Sequence, residues 1–316
     1  MNLIYSLMIL FYWIFLSGII FLAGAYVSRI YITGPTGAEF CYSSNRNRRF
    51  AVSIVRNLFL VAVLAFLANA IHFVLHCSVM TETPLKEVFS ILPVFITKTK
   101  YGRFAILRTV LLAIILVISF VSIMHDKKWL TLSEALFSLL LLIAIAMSGH
   151  QGTKGYMNFP FWLDVLHLVA VSAWIGGIMF IRFFLSVFYK NGLIEFWLNL
   201  KSMMKRFSLL ATYSVIAAGL TGLLLTYFNV RGFRVLMNTQ YGIVLMVKIF
   251  LVCITMIIGG MNKFFIIPYM DKISPENSSE QLRQSRKLQN LVTIETGLGF
   301  LILLLTSILT HLSPDG

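Results

Sequence analysis

The chain is 316 residues long, 59% hydrophobic and only 12% charged, with a mean hydropathy of +0.87. This composition excludes a soluble two-domain enzyme and points to an integral membrane protein. The formal net charge of +14 would suggest nucleic acid in a soluble chain, but here it reports orientation, because Lys and Arg collect in cytoplasmic loops. The expected surrounding is a lipid bilayer, with no nucleic acid.

A helix needs about 20 apolar residues to cross a hydrocarbon core of about 30 Å. Apolar runs bounded by Trp, Tyr, Lys and Arg fall at 3–28, 52–78, 103–124, 131–149, 160–187, 206–228, 240–267 and 290–311. The first run has no basic segment before it and no small-residue cleavage pattern before Arg29, so it is expected to stay as a span and not to leave as a signal peptide. Lipid offers the backbone no hydrogen-bond partner, so spans of this length are helices. The expected fold class is an all-α integral membrane protein with eight transmembrane helices. Cys41, Cys77 and Cys253 lie far apart, with no CxxC pair, and encode neither a disulfide framework nor a zinc module.

Of the 26 Lys and Arg residues, seventeen fall in odd-numbered connections or the span ends that border them and seven in even-numbered ones or their borders, while Arg108 and Lys248 are counted with the spans. The positive-inside rule then puts the odd connections in the cytoplasm and both termini outside. Thr99-Lys-Tyr-Gly followed by Arg108 opens the third span, and Thr239-Gln-Tyr-Gly followed by Lys248 opens the seventh, 140 residues later. Four helices separate the copies, which suggests two four-helix repeats, 1–150 and 151–316.

With this topology, His72 and His76 sit at the outer end of the second span, His150 at the outer end of the fourth, His167 about two turns into the fifth and His311 at the outer end of the eighth. Only His125 is cytoplasmic. Imidazoles gathered from several helices at one surface suit a late first-row metal. His72, His76 and Met80 form an i, i+4, i+8 stripe with Cys77 beside it, and Met147 and His150 form an i, i+3 pair; these soft and borderline ligands suit copper.

His167 lies deep enough that an unpaired imidazole would be costly, and intramembrane ionisable residues are functional candidates. Asp164 stands at i−3 as an expected partner that would orient the ring, Trp174 at i+7 on the same face, and Gly176-Gly177 gives another helix room to approach. Lys248 is expected at nearly the same depth. It either snorkels and pairs with Asp164, or ligates haem iron. Glu295 is the acidic residue inside the eighth span; it either forms an inner exit with Asn262 and Lys263 or simply pairs with Lys263 or Arg206.

The segments FWLDVLHLVAVSAWIGGIMF, TQYGIVLMVKIFLV leading to GGMNKFFIIPYM, and IETGLGFLILLLTSILTHLSP resemble the copper resistance protein D (CopD) membrane domain, as do TKYGRFAILR and SGHQG in the first half. The resemblance implies a multi-pass protein of the bacterial plasma membrane in copper uptake or homeostasis, often linked to an extracellular copper-binding CopC domain. No such domain is expected in this chain, so copper would come directly or from a separate CopC-like partner. An outside N-terminus agrees with fused relatives, in which the CopC domain precedes the first span.

The pattern LHxxxxxxWxGG with a later intramembrane Lys also resembles the HemJ-type protoporphyrinogen oxidase family, whose matching residues would be His167 and Lys248 here. That resemblance implies haem b and a redox enzyme. The sequence thus supports a copper transport or homeostasis protein with candidate ligands His72, His76, Cys77, Met80, Met147, His150 and His167. The alternative is a haem b protein using His167 and Lys248. No nucleotide-binding motif is present, so transport would run on a gradient or on cytoplasmic chelation.

Overall fold

The computed structural model describes residues 3–33, 45–125, 127–149, 152, 155–190, 197–229, 233–273 and 277–312. Every regular element among them is helical. In chain order these are α1 (Leu3–Ser28, continued by a π-turn at Arg29–Thr33), α2 (Asn45–Thr81), α3 (Leu85–Lys98), α4 (Lys100–Met124) and α5 (Lys128–Ser148). The second half holds α6 (Phe159–Val171, a π-turn at Ser172–Gly176, then Gly177–Lys190), α7 (Trp197–Asn229) and α8 (Phe233–Asn238). It ends with α9 (Gln240–Met261, a π-turn at Asn262–Ile266, then Ile267–Lys272) and α10 (Ser278–Thr310).

Eight of these helices, all but α3 and α8, are long and apolar enough to cross a membrane, in agreement with the eight expected spans. The two short helices lie where the sequence suggested only connections. α3 buries Val88 and Phe95 against Phe73, Cys77 and Ala105 and leaves its other face exposed. One apolar face on fourteen residues is too little to register as a span.

Burial separates a central pair of helices from a lipid-facing rim. The most apolar stretch of α6 is 72% buried within the protein and that of α1 56%, against 17% for both α7 and α9. In lipid, helices gain nothing from apolar burial alone, so close packing and hydrogen bonds hold such a bundle together. α1 and α6 cross nearly backbone to backbone: a Cβ on Gly176 would strike the Ile20 carbonyl, and one on Gly24 would strike the Ser172 carbonyl and the Gly176 backbone. Gly176, read from the sequence as a point of close helix approach, is where α1 comes in.

The two TxYG sequences also receive a physical reason. Thr99 and Thr239 both adopt extended backbone as N-caps, and their hydroxyls accept from the N–H of Gly102 at 2.9 Å and of Gly242 at 3.1 Å. A Cβ on Gly102 would collide with the Phe95 carbonyl of α3, and one on Gly242 with the Leu236 carbonyl of α8. Each motif starts a spanning helix tucked under a short helix before it.

The opposite end of the first half from Thr99 is locked by a buried carboxylate that the sequence did not single out. Glu134, 1% exposed, accepts from the hydroxyls of Ser119 (3.0 Å) and Ser122 (3.1 Å) and pairs with Arg29 at 3.4 Å. Tyr26 completes the group through Ser119 at 3.1 Å. α1, α4 and α5 are thereby tied at one level, with the charge satisfied as a buried ion requires.

Candidate metal centre

Three histidines meet at the end of the bundle that also holds the start of α1 and the end of α10. His72 and His76 stand one turn apart on α2, so both rings leave the same face, with centroids 5.6 Å apart. His311 caps the C-terminus of α10, its backbone N–H bonded to the carbonyls of Ile308 and Leu309. The Tyr5 hydroxyl donates to the His311 carbonyl at 2.8 Å, which holds this end of α10 beside the start of α1.

The His311 ring is oriented from behind. Its Nδ1 lies 2.7 Å from the Ser307 carbonyl, which can only accept, so Nδ1 carries the proton and the neutral ring turns the Nε2 lone pair inward. His72 Nε2 lies 3.4 Å from it. One ligand atom from each of His72, His76 and His311 can be chosen so that all lie within 4.8 Å of one another. Three nitrogens spread evenly at about 2 Å around one ion sit about 3.5 Å apart, so closing the set around a metal takes side-chain shifts on the order of an ångström. His72 and His76 Nδ1 are buried with no hydrogen-bond partner, a cost that coordination or a bound water would remove.

Aromatic rings enclose the triad. Tyr12 of α1 lies 4.9 Å from the His72 ring and 5.2 Å from that of His311, and Tyr101 of α4 stacks on His76 at 4.0 Å. His72 is 2% exposed, while His76 and His311 are half-buried. The triad is therefore largely enclosed, with His76 and His311 its more exposed members.

The other residues singled out from the sequence are distributed elsewhere. Cys77 faces away from the triad, buried with Phe73, Val88, Phe95 and Ala105; one residue beyond His76 turns a side chain by about 100°. Met80 is 63% exposed. Met147 packs with Ile143 and Tyr156 around Ala146, Phe161 and Val165. His150 lies outside the described residues.

His167 is pinned to α7, with Nδ1 2.9 Å from the Thr221 hydroxyl and 3.1 Å from the Ala218 carbonyl, so these groups orient its ring. Asp164 is half-buried beside Gly149 and within electrostatic reach of Lys248. Trp174 is buried within the α6 π-turn.

Glu295 marks a second place of interest, 16 residues before His311 on α10 and so about 24 Å away along the helix at 1.5 Å per residue. It is 3% exposed and accepts from Asn262 Nδ2 at 2.6 Å, while Lys263 Nζ donates to the Thr212 hydroxyl at 2.8 Å. The π-turn at Asn262–Ile266 carries both Asn262 and Lys263 into the wall of one cavity of about 270 Å³. Trp174, Met204 and Phe207 line its apolar side. The carboxylate is thus met by an amide, and the ammonium by a hydroxyl.

Comparison with known proteins decides the family. Residues 201–309 match the family described as copper resistance protein D, and residues 3–157 match the copper resistance protein D-like N-terminal domain. The chain belongs to the copper resistance protein D family. This member is similar to the copper transport protein CutJ of Bacillus subtilis (strain 168), with 30% identity over 123 residues that cover 39% of this chain and 22% of that protein. No solved structure matches. Family and fold together support a multi-pass membrane protein of copper transport or resistance, and nothing in the matches supports haem at His167 and Lys248.

Proposed function

We propose that this protein imports copper across the bacterial plasma membrane, taking the ion at His72, His76 and His311. The observation that carries the proposal is the convergence of three imidazoles from two helices far apart in sequence, enclosed by Tyr12 and Tyr101, in a member of a copper family. Imidazole is a strong ligand for copper, and a chamber walled by aromatic rings shields the ion from water while coordination compensates its lost hydration.

Positive-inside counting puts this end outside, with both termini there, and makes the cavity at Glu295 and Asn262 the inner exit. Trp174, Ile175, Met179 and Leu303 belong to the packed core of the bundle, so passage requires α1, α6 and α10 to part. Relative movement of two four-helix halves, the repeat suggested by the paired TxYG caps, is the natural way to do this. A CopC-like protein outside the cell is the proposed donor.

The test is copper accumulation in cells expressing the wild type or His72→Ala/His76→Ala, together with copper per chain in the purified proteins. Loss of both in the variant supports the proposal, and unchanged values in both overturn it.

A further inference from the structure

We propose that the triad selects Cu(I) over Cu(II), and that the buried Arg108 guanidinium sets this preference; the inference rests on the triad being the copper site. Arg108 is 1% exposed, yet among the described residues no carboxylate lies within ion-pair distance of it. Its Nη2 donates to the Tyr101 hydroxyl at 3.2 Å and its Nη1 to the Ser148 hydroxyl at 3.5 Å, while Nε has no partner. The guanidinium lies 5.3 Å from the Tyr101 ring centroid and 5.6 Å from that of Phe15. An unpaired charge is costly to bury, and two aromatic faces and two hydroxyls offset that cost only in part. A position that retains such a charge calls for a reason beyond packing.

The reason lies one ring away. Tyr101 is the ring that stacks on His76, so a single aromatic side chain separates the guanidinium from the triad. The charge of Arg108 is felt at both His72 and His76. The three ligands are neutral, and no carboxylate or thiolate joins their cluster among the described residues. The carboxylate Asp164 lies within electrostatic reach of Lys248. The chamber is therefore biased against positive charge in the ion it takes.

Each unit of charge on the metal meets this bias once. At an effective dielectric of about 20 and a separation on the order of 8 Å, a pair of unit charges changes binding by about thirtyfold. Cu(I) is penalised once and Cu(II) twice, so Arg108 lowers Cu(II) affinity by about thirtyfold more than it lowers Cu(I) affinity. Geometry works in the same direction. Three imidazoles enclosed by tyrosine rings leave little room for the tetragonal set of four or more N and O ligands that Cu(II) prefers, whereas a d¹⁰ ion imposes no such geometry. Arg108 thus acts through its field and touches no metal.

The test uses the full chain purified in detergent. Cu(I) affinity is measured without oxygen against a chromogenic Cu(I) chelator, and Cu(II) affinity against a Cu(II) chelator, for wild type, Arg108→Met and Arg108→Lys. The expected result is that Arg108→Met raises Cu(II) affinity by at least about tenfold more than Cu(I) affinity, while Arg108→Lys, which keeps the charge, leaves the ratio near that of wild type. A ratio unmoved by Arg108→Met overturns the proposal. X-ray absorption on Cu(I)-loaded wild type tests the geometric part of the argument independently of whether the variants fold: a three-nitrogen site is expected, and four or more ligands would refute it. If neither oxidation state binds in a way that requires His72, His76 and His311, the copper site itself is wrong and this inference falls with it; histidine-dependent binding with an unmoved ratio sinks the inference alone.

Discussion

His311→Ala is the most informative single change, because His311 is the proposed ligand that the fold, and not local spacing, brings to the histidine pair. The two remaining imidazoles stand one turn apart on α2 and can still hold an ion, so binding should weaken without vanishing. Loss of a group that merely orients a metal ligand typically costs 10- to 100-fold in affinity, and loss of the ligand itself should reach at least about 100-fold. At a copper concentration about 100 times the wild-type Kd, binding stabilises the folded wild type by about 2.7 kcal/mol, whereas a variant binding about 100-fold more weakly gains about 0.4 kcal/mol. The assay is thermal unfolding of the purified protein with and without copper. His311→Ala should lose most of the copper-dependent rise in Tm. Its metal-free Tm falls separately, since the ring also packs on Tyr12 and bonds the Ser307 carbonyl. A variant with the full wild-type rise and copper stoichiometry would refute the assignment of His311.

Gly176→Ala forces a Cβ onto the Ile20 carbonyl and should destabilise by about 1–3 kcal/mol as an overpacked contact, whereas Gly219→Ala, where nothing lies within 4 Å, should be neutral or better; the two Tm values measured side by side check this. Glu134→Ala leaves Arg29 without the buried carboxylate it pairs with and should cost about 3 kcal/mol, seen as a lower Tm with copper affinity at the triad unchanged. Glu295→Ala should slow copper accumulation in cells while the purified protein still binds copper at His72, His76 and His311; normal accumulation would remove Glu295 from the route.

Much of this was open to reading from residue order. His72 and His76 share a helix face because 3.6 residues make a turn, and that spacing holds wherever α2 packs. The same period turns Cys77 away from them, so its proximity in sequence was a poor guide. His311 could be placed at the same end of the bundle as the pair but not at the site, since its approach depends on α10 returning beside α1, where the Tyr5 hydroxyl donates to its carbonyl. Tyr12, Tyr101 and Arg108 come from other helices and carry no local mark of a metal site. Glu134 is similar: two of its partners are hydroxyls on α4, and serines in an apolar helix reveal no direction.

The sequence by itself determined the membrane setting, the eight spans, the start of the third and seventh by their TxYG caps, and the α2 histidine pair, because each follows from hydropathy or from the period of one helix. Only the tertiary structure decided which helices meet. It brought His311 to the pair and Arg108 behind Tyr101, and its π-turn carried Asn262 to Glu295. In lipid every span is apolar on most faces, so hydropathy tells little about which face packs inward. Partner choice rests on close contacts such as Gly176 against Ile20, and on buried hydrogen bonds between residues distant in sequence.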